Sequence, residues 1–133
     1  MIAIDTNILV RLVTNDDPTQ AQRITGLLQD QAVFIPKTVL LELEWVLRFS
    51  YVLDRQIILS TLKRILSTEN FTIENISAIE QAMQWYEQGL DLADAIHLAS
   101  SQHADQFISF DKKLIKKALP PRVVHKPAPL GNN

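Results

Sequence analysis

Short apolar runs alternate along this chain with longer segments whose apolar residues recur at helical spacing. Met1-Ile2-Ala3-Ile4 has the length of a buried parallel strand and stops at Asp5. Thr6 to Val13 then predicts a helix, so Asp5 falls in a strand-to-helix turn. Asp16-Asp17-Pro18 marks the start of a second helix, with Ala21, Ile24, Leu27 and Leu28 on one face. Ala32-Val33-Phe34-Ile35 predicts a second strand stopped by Pro36, and Thr38 to Ser50 a core helix interrupted only by Glu42, Glu44 and Arg48. Asp54 is placed to cap a helix carrying the stripe Ile58, Leu62, Ile65 and Leu66.

Phe71-Thr72-Ile73-Glu74 predicts a third strand, and Ser77-Ala78-Ile79-Glu80 has the form of a capping box opening a helix that ends near Gly89. Another helix is expected from Leu92 to His103, a strand over Gln106 to Phe110, and a short helix from Lys112 to Leu119 closed by Pro120-Pro121. Strands alternating with helices, with little hairpin chemistry between them, predict a three-layer α/β/α sandwich around a mainly parallel central sheet. One domain over residues 1–126 is expected, followed by a loose tail at 127–133.

Composition narrows the chemistry. The 133 residues suffice for one self-supporting core, and with no cysteine there are no disulfides and no thiolate metal sites. No apolar stretch approaches the roughly 20 residues of a membrane span, and the N-terminus lacks the basic and apolar regions of a signal peptide. A soluble cytoplasmic protein is expected. The net charge of −2 conceals a basic C-terminal region, with six of the thirteen Lys and Arg residues between Lys112 and Lys126. That region reads equally as a solvated face or a phosphate contact.

Each acidic residue also has an ordinary structural role available to it. Asp5 and Asp111 each follow a strand and precede a helix, which suits an N-cap and also a ligand site at the carboxyl edge of a parallel sheet. Lys112 and Lys113 at a helix start oppose the macrodipole, an arrangement that makes sense beside a polyanion. Glu42 has Thr38, Val39, Trp45, Val46 and Phe49 as helical neighbours, a costly place to bury a carboxylate without a partner. Glu44 has Arg48 four residues on and reads as a rim ion pair, an order that reverses if the helix is rotated. Of Asp91 and Asp94, one caps the next helix and the other lies in its first turn, and spacing leaves open which is functional. If Asp5, Glu42, Asp94 and Asp111 converge, each pair about 4 Å apart repels by roughly 4 kcal/mol at an effective dielectric near 20. An all-oxygen set relieved of that repulsion by a hard divalent cation, Mg²⁺ or Mn²⁺, could activate water for phosphodiester hydrolysis.

Asp5-Thr6-Asn7-Ile8-Leu9, Glu42 within Val39 to Leu47, Leu92-Ala93-Asp94-Ala95 and Ser109-Phe110-Asp111 resemble, in order and spacing, the PIN-domain family, above all the VapC ribonuclease toxins of bacterial toxin–antitoxin pairs. The resemblance implies a PIN-like fold and a Mg²⁺-dependent endoribonuclease, usually a homodimer, inhibited by a VapB-type antitoxin. It implies Asp5, Glu42, Asp94 and Asp111 as the acidic site, with Asp5, Asp94 and Asp111 on the metal and Thr6, Asn7 and Ser109 in support. Ser109 stands where the family more often has Thr, and the hydroxyl is kept. It also favours RNA contact by Lys112, Lys113, Lys116 and Lys117. The alternative is a non-catalytic RNA- or protein-binding module on the same scaffold. Asn7 argues against an Asp-x-Asp phosphatase, and the lack of a Gly-rich loop against a P-loop or dinucleotide fold.

Overall fold

A computed structural model describes residues 1–111, Leu114 and Val124–His125. The elements run β1 (Ile2–Ala3), α1 (Thr6–Thr14), α2 (Pro18–Leu28), β2 (Val33–Ile35), α3 (Lys37–Phe49), α4 (Arg55–Leu66), β3 (Phe71–Ile73), α5 (Ile76–Glu87), α6 (Leu92–Ala99), β4 (Phe107–Ile108) and β5 (Val124–His125). Two compact units divide the chain, Met1–Ile76 and Ser77 onward.

In the first unit three strands lie in the order β1-β2-β3, all parallel, with Ile2 opposite Val33 and Val33 opposite Phe71. Each connection therefore crosses over through helices, as parallel pairing requires. Val33 and Ile35 of the central strand are fully buried, with Leu9, Leu40, Leu43, Leu47, Ile58 and Leu62 of the surrounding helices. The expected burial of the first apolar run holds only for Ile4: among the described residues β1 pairs with β2 alone, and Ile2 remains exposed.

Helix starts follow the sequence chemistry closely. The Ile8, Gln20 and Ile57 N–H groups donate to Oδ1 of Asp5, Asp17 and Asp54 at 3.2, 3.1 and 3.0 Å, each cap worth about 1 kcal/mol. Helix α3 is different, since Pro36 offers no side-chain acceptor. Oε1 of Glu74, at the carboxyl end of β3, accepts from the Lys37 N–H at 3.0 Å instead.

In the second unit, α5 and α6 bury Ala82, Tyr86, Ala95 and Leu98, and β4 pairs with β5 in parallel, Phe107 opposite Val124. Helix α5 begins at Ile76, after Asn75 in the left-handed region, so Ser77 lies inside the first turn rather than capping it. Helix α6 stops at Ala99, short of His103. The Ser101 hydroxyl donates to the His97 carbonyl at 2.7 Å, competing for the backbone acceptor that another turn would engage. The helix expected over 112–119 lies outside the described residues except for Leu114, which is helical and buried.

Candidate active site

Within the first unit, Asp5 and Glu42 are related through Thr6. Asp5 is exposed at the carboxyl end of β1, with Oδ1 engaged by the Ile8 N–H, so the capping role is filled. The next side chain, Thr6, is buried in the first turn of α1, and its hydroxyl donates to Oε1 of Glu42 on α3. Asn7 follows, exposed beside them.

Helix α3 faces the core differently from the expectation. Glu44, not Glu42, is the buried carboxylate at 1% exposure, whereas Glu42, Trp45 and Phe49 lie on an exposed face. The nearly continuous apolar run left the buried face ambiguous. The Glu44–Arg48 pairing holds: Arg48 Nε sits 2.9 Å from Oε2, and Nη2 donates to Oε1 at 3.2 Å. A carboxylate removed from water needs such a charged partner, here one hydrogen bond from Nη2 with Nε in ion-pair contact. Glu42 is instead met by a hydroxyl, at an address from which it can reach a ligand.

Within the second unit, the Asp94 N–H donates to Oδ2 of Asp91 at 3.3 Å, which makes Asp91 the cap of α6. Asp94 is half-buried in the first turn. Its pKa is raised above the ordinary carboxylate value by desolvation first, then by the charges of Asp91 and Asp111, with exposed His97 opposing them. Asp111 is held in a tight turn: its N–H donates to Ser109 Oγ at 2.9 Å, and its Oδ1 accepts from the Leu114 N–H at 3.3 Å. Ser109 thus fixes the backbone that carries Asp111. Lys112, Lys113, Lys116 and Lys117 lie outside the described residues.

The candidate acidic residues thus fall into two groups, Asp5 with Glu42 through Thr6, and Asp94 within the field of Asp111. Among the described residues, no three acidic or histidine groups gather in metal-binding geometry. The donor set nonetheless has the right chemistry for a hard cation: carboxylate and hydroxyl oxygens, with Asp94 and Asp111 repelling one another.

A family model described as PIN domain matches residues 2–119. The chain belongs to the PIN domain family. PIN domains are generally a nuclease fold and commonly use divalent metals, and the α/β architecture with its parallel sheet accords with that membership. None of the curated proteins compared with this PIN domain matches it. No helix among its described residues is long and apolar enough to cross a membrane.

Two residues of this PIN domain escaped sequence reasoning. Glu74 caps α3 from another strand end, and its only signal was the missing cap residue before Lys37. Trp45 looked like core because its neighbours are apolar, yet it is 58% exposed.

Proposed function

We propose that this PIN domain is a Mg²⁺-dependent endoribonuclease that hydrolyses RNA phosphodiester bonds, and that it serves as the VapC-type toxin of a toxin–antitoxin pair. Asp5, Asp94 and Asp111 would hold the ion. When bound, the ion supplies an acidified water and neutralises charge on the phosphoryl oxygens. Glu42 would complete the shell of the ion or orient the attacking water, and with Oε1 engaged by Thr6 its Oε2 would serve that role. Thr6 and Ser109 position Glu42 and Asp111, and Asn7 lies beside Asp5.

The observation that carries this reading is the PIN domain match over residues 2–119, a stretch that includes all four acidic positions, Asp5, Glu42, Asp94 and Asp111. Asp94 adds to it: burial first, then the charges of Asp91 and Asp111, raise its pKa, a setting in which a nearby cation would favour the carboxylate. The toxin role, the VapB-type antitoxin, the homodimer and the cytoplasmic location rest on motif order and on the family. Incubating the purified, antitoxin-free chain with total RNA, with and without Mg²⁺ and EDTA, tests the activity. Metal-dependent RNA shortening supports it, and RNA retention without cleavage in either condition favours the non-catalytic binding module. Growth arrest on expressing the chain alone, relieved by the antitoxin, tests the toxin role.

A further inference from the structure

The exposed side of α3 carries more than Glu42. Trp45 and Phe49 stand three and seven residues further along the same helical face, at 58% and 56% exposure. Residues three and four apart on a helix are surface neighbours, which puts Trp45 next to Glu42 and Phe49 next to Trp45 along this face. The two rings meet edge to face, with centroids 5.0 Å apart and planes at 60°. Arg48 spreads its guanidinium over Phe49, with Cζ 4.6 Å from the ring centroid, while Nη2 donates to buried Glu44 and Nε lies in ion-pair contact with it.

These contacts form a chain from core to solvent: Glu44 fixes Arg48, Arg48 covers Phe49, and Phe49 supports Trp45. A buried carboxylate is an expensive anchor for a decorative surface ring. It makes physical sense where the exposed aromatic pair must hold a set orientation, because preorganised rings lose little entropy when a planar ligand stacks on them. The patch is also small. The two rings leave roughly 250 Å² accessible on the scale of aromatic side-chain areas. A stable protein interface uses about 800 Å² per partner. The area suits one or two nucleobases.

We infer that Trp45 and Phe49, held by Arg48 and Glu44, form a stacking platform for unpaired bases of single-stranded RNA beside Glu42. This rests on the ribonuclease reading and deepens it. Bases splayed from a single strand stack on aromatic rings and on arginine planes, whereas bases paired in a duplex are unavailable. The platform therefore selects for single-stranded RNA next to the scissile phosphate. Trp45 and Phe49 are specificity residues, and Arg48 and Glu44 are positioning residues.

The chain contains two tryptophans, and the other, Trp85, is buried at 5% exposure. Tryptophan fluorescence thus reports contact at Trp45 against a shielded background. The test titrates the full chain, in EDTA to prevent turnover, with a short unstructured oligoribonucleotide, its abasic counterpart and a duplex. Quenching by the base-bearing single strand, with little by the other two, is expected. Trp45→Ala and Phe49→Ala should each weaken binding about 5- to 100-fold, as loss of a stacked base does. Trp45→Phe should restore most of the affinity, and Glu44→Gln should weaken binding without removing a ring.

Equal quenching by the abasic strand, or unchanged affinity in Trp45→Ala, would overturn the platform. So would a Trp45→Ala variant that loses self-association while binding RNA normally, because that result assigns the face to a second copy of the chain. Base-dependent quenching without Mg²⁺-dependent cleavage keeps the platform and rejects the nuclease, and cleavage unaffected by Trp45→Ala with no quenching does the reverse.

Discussion

The Thr6 hydroxyl donates to Oε1 of Glu42, tying the first turn of α1 to the middle of α3 across 36 residues of sequence. Thr6 is buried and Glu42 exposed, so the bond orients a solvent-facing carboxylate from a fixed base. Thr6→Val keeps the shape and removes the donor. It is expected to cost about 1 kcal/mol of stability, because Glu42 is free to turn to water. Cleavage should fall by about 10- to 100-fold, the usual cost of losing an orienting partner. Thr6→Ser, which keeps the hydroxyl, should retain most activity in the same assay.

Asp94 yields a pH prediction of definite sign. Its folded-state pKa is raised above the ordinary carboxylate value, chiefly by burial and then by Asp91 and Asp111. The folded chain therefore holds this proton more tightly than the unfolded chain, and the contribution of Asp94 to stability falls as pH rises from the ordinary value through the raised one. Asp94→Asn removes that decline. The variant should be more stable than the parent at neutral pH yet inactive, a divergence expected of a functional residue. Thermal unfolding across pH checks the stability, and added Mg²⁺ should raise the melting temperature of the parent and not of the variant.

Asp16 behaves in the opposite sense. Tyr51 Oη donates to its Oδ2 at 2.6 Å, while Thr14 Oγ1 and Arg11 Nη1 reach Oδ1 at 3.0 and 3.2 Å. The Tyr51 bond contributes most to lowering its pKa, with Thr14 and Arg11 adding to it against desolvation. A depressed carboxylate stabilises the fold above its ordinary pKa and loses that contribution as pH falls through the lowered value. Tyr51→Phe should therefore shift acid unfolding to higher pH. An unmoved acid midpoint would show that the hydroxyl has no such role.

Val52 adopts φ 53°, a left-handed conformation that a β-branched side chain resists, and is 80% exposed, so little packing is lost by replacing it. Val52→Asn should raise stability by about 1 kcal/mol, the scale of the left-handed penalty. Denaturant unfolding would read this as a higher midpoint with an unchanged slope.

Local chemistry explains which features were legible. Asp17-Pro18, Asp54 and Asp91 announce helix starts through side-chain oxygens that serve neighbouring N–H groups, a rule contained within four residues. The orientation of α3 was not legible, because a helix apolar on most sides carries little phase information and only packing distinguishes Glu42 from Glu44. Strand β5, two residues long, is too short to display any period, and it pairs with β4 across the chain. At Asp5 and Asp111 the cap and the candidate ligand are the same carboxylate, because the turn after a strand that needs a helix cap is also the carboxyl edge of the sheet.

The most direct measurement is cleavage of an end-labelled single-stranded RNA by the purified, antitoxin-free chain in Mg²⁺ and in EDTA, beside the Asp5→Asn and Asp94→Asn variants. Asn preserves the N-cap at position 5, so that variant should fold as the parent does. The prediction is cleavage in Mg²⁺ that EDTA abolishes and that both variants lose while circular dichroism shows them folded. Cleavage that persists in EDTA, or at parental rate in either variant, would contradict an acidic, cation-dependent nuclease site.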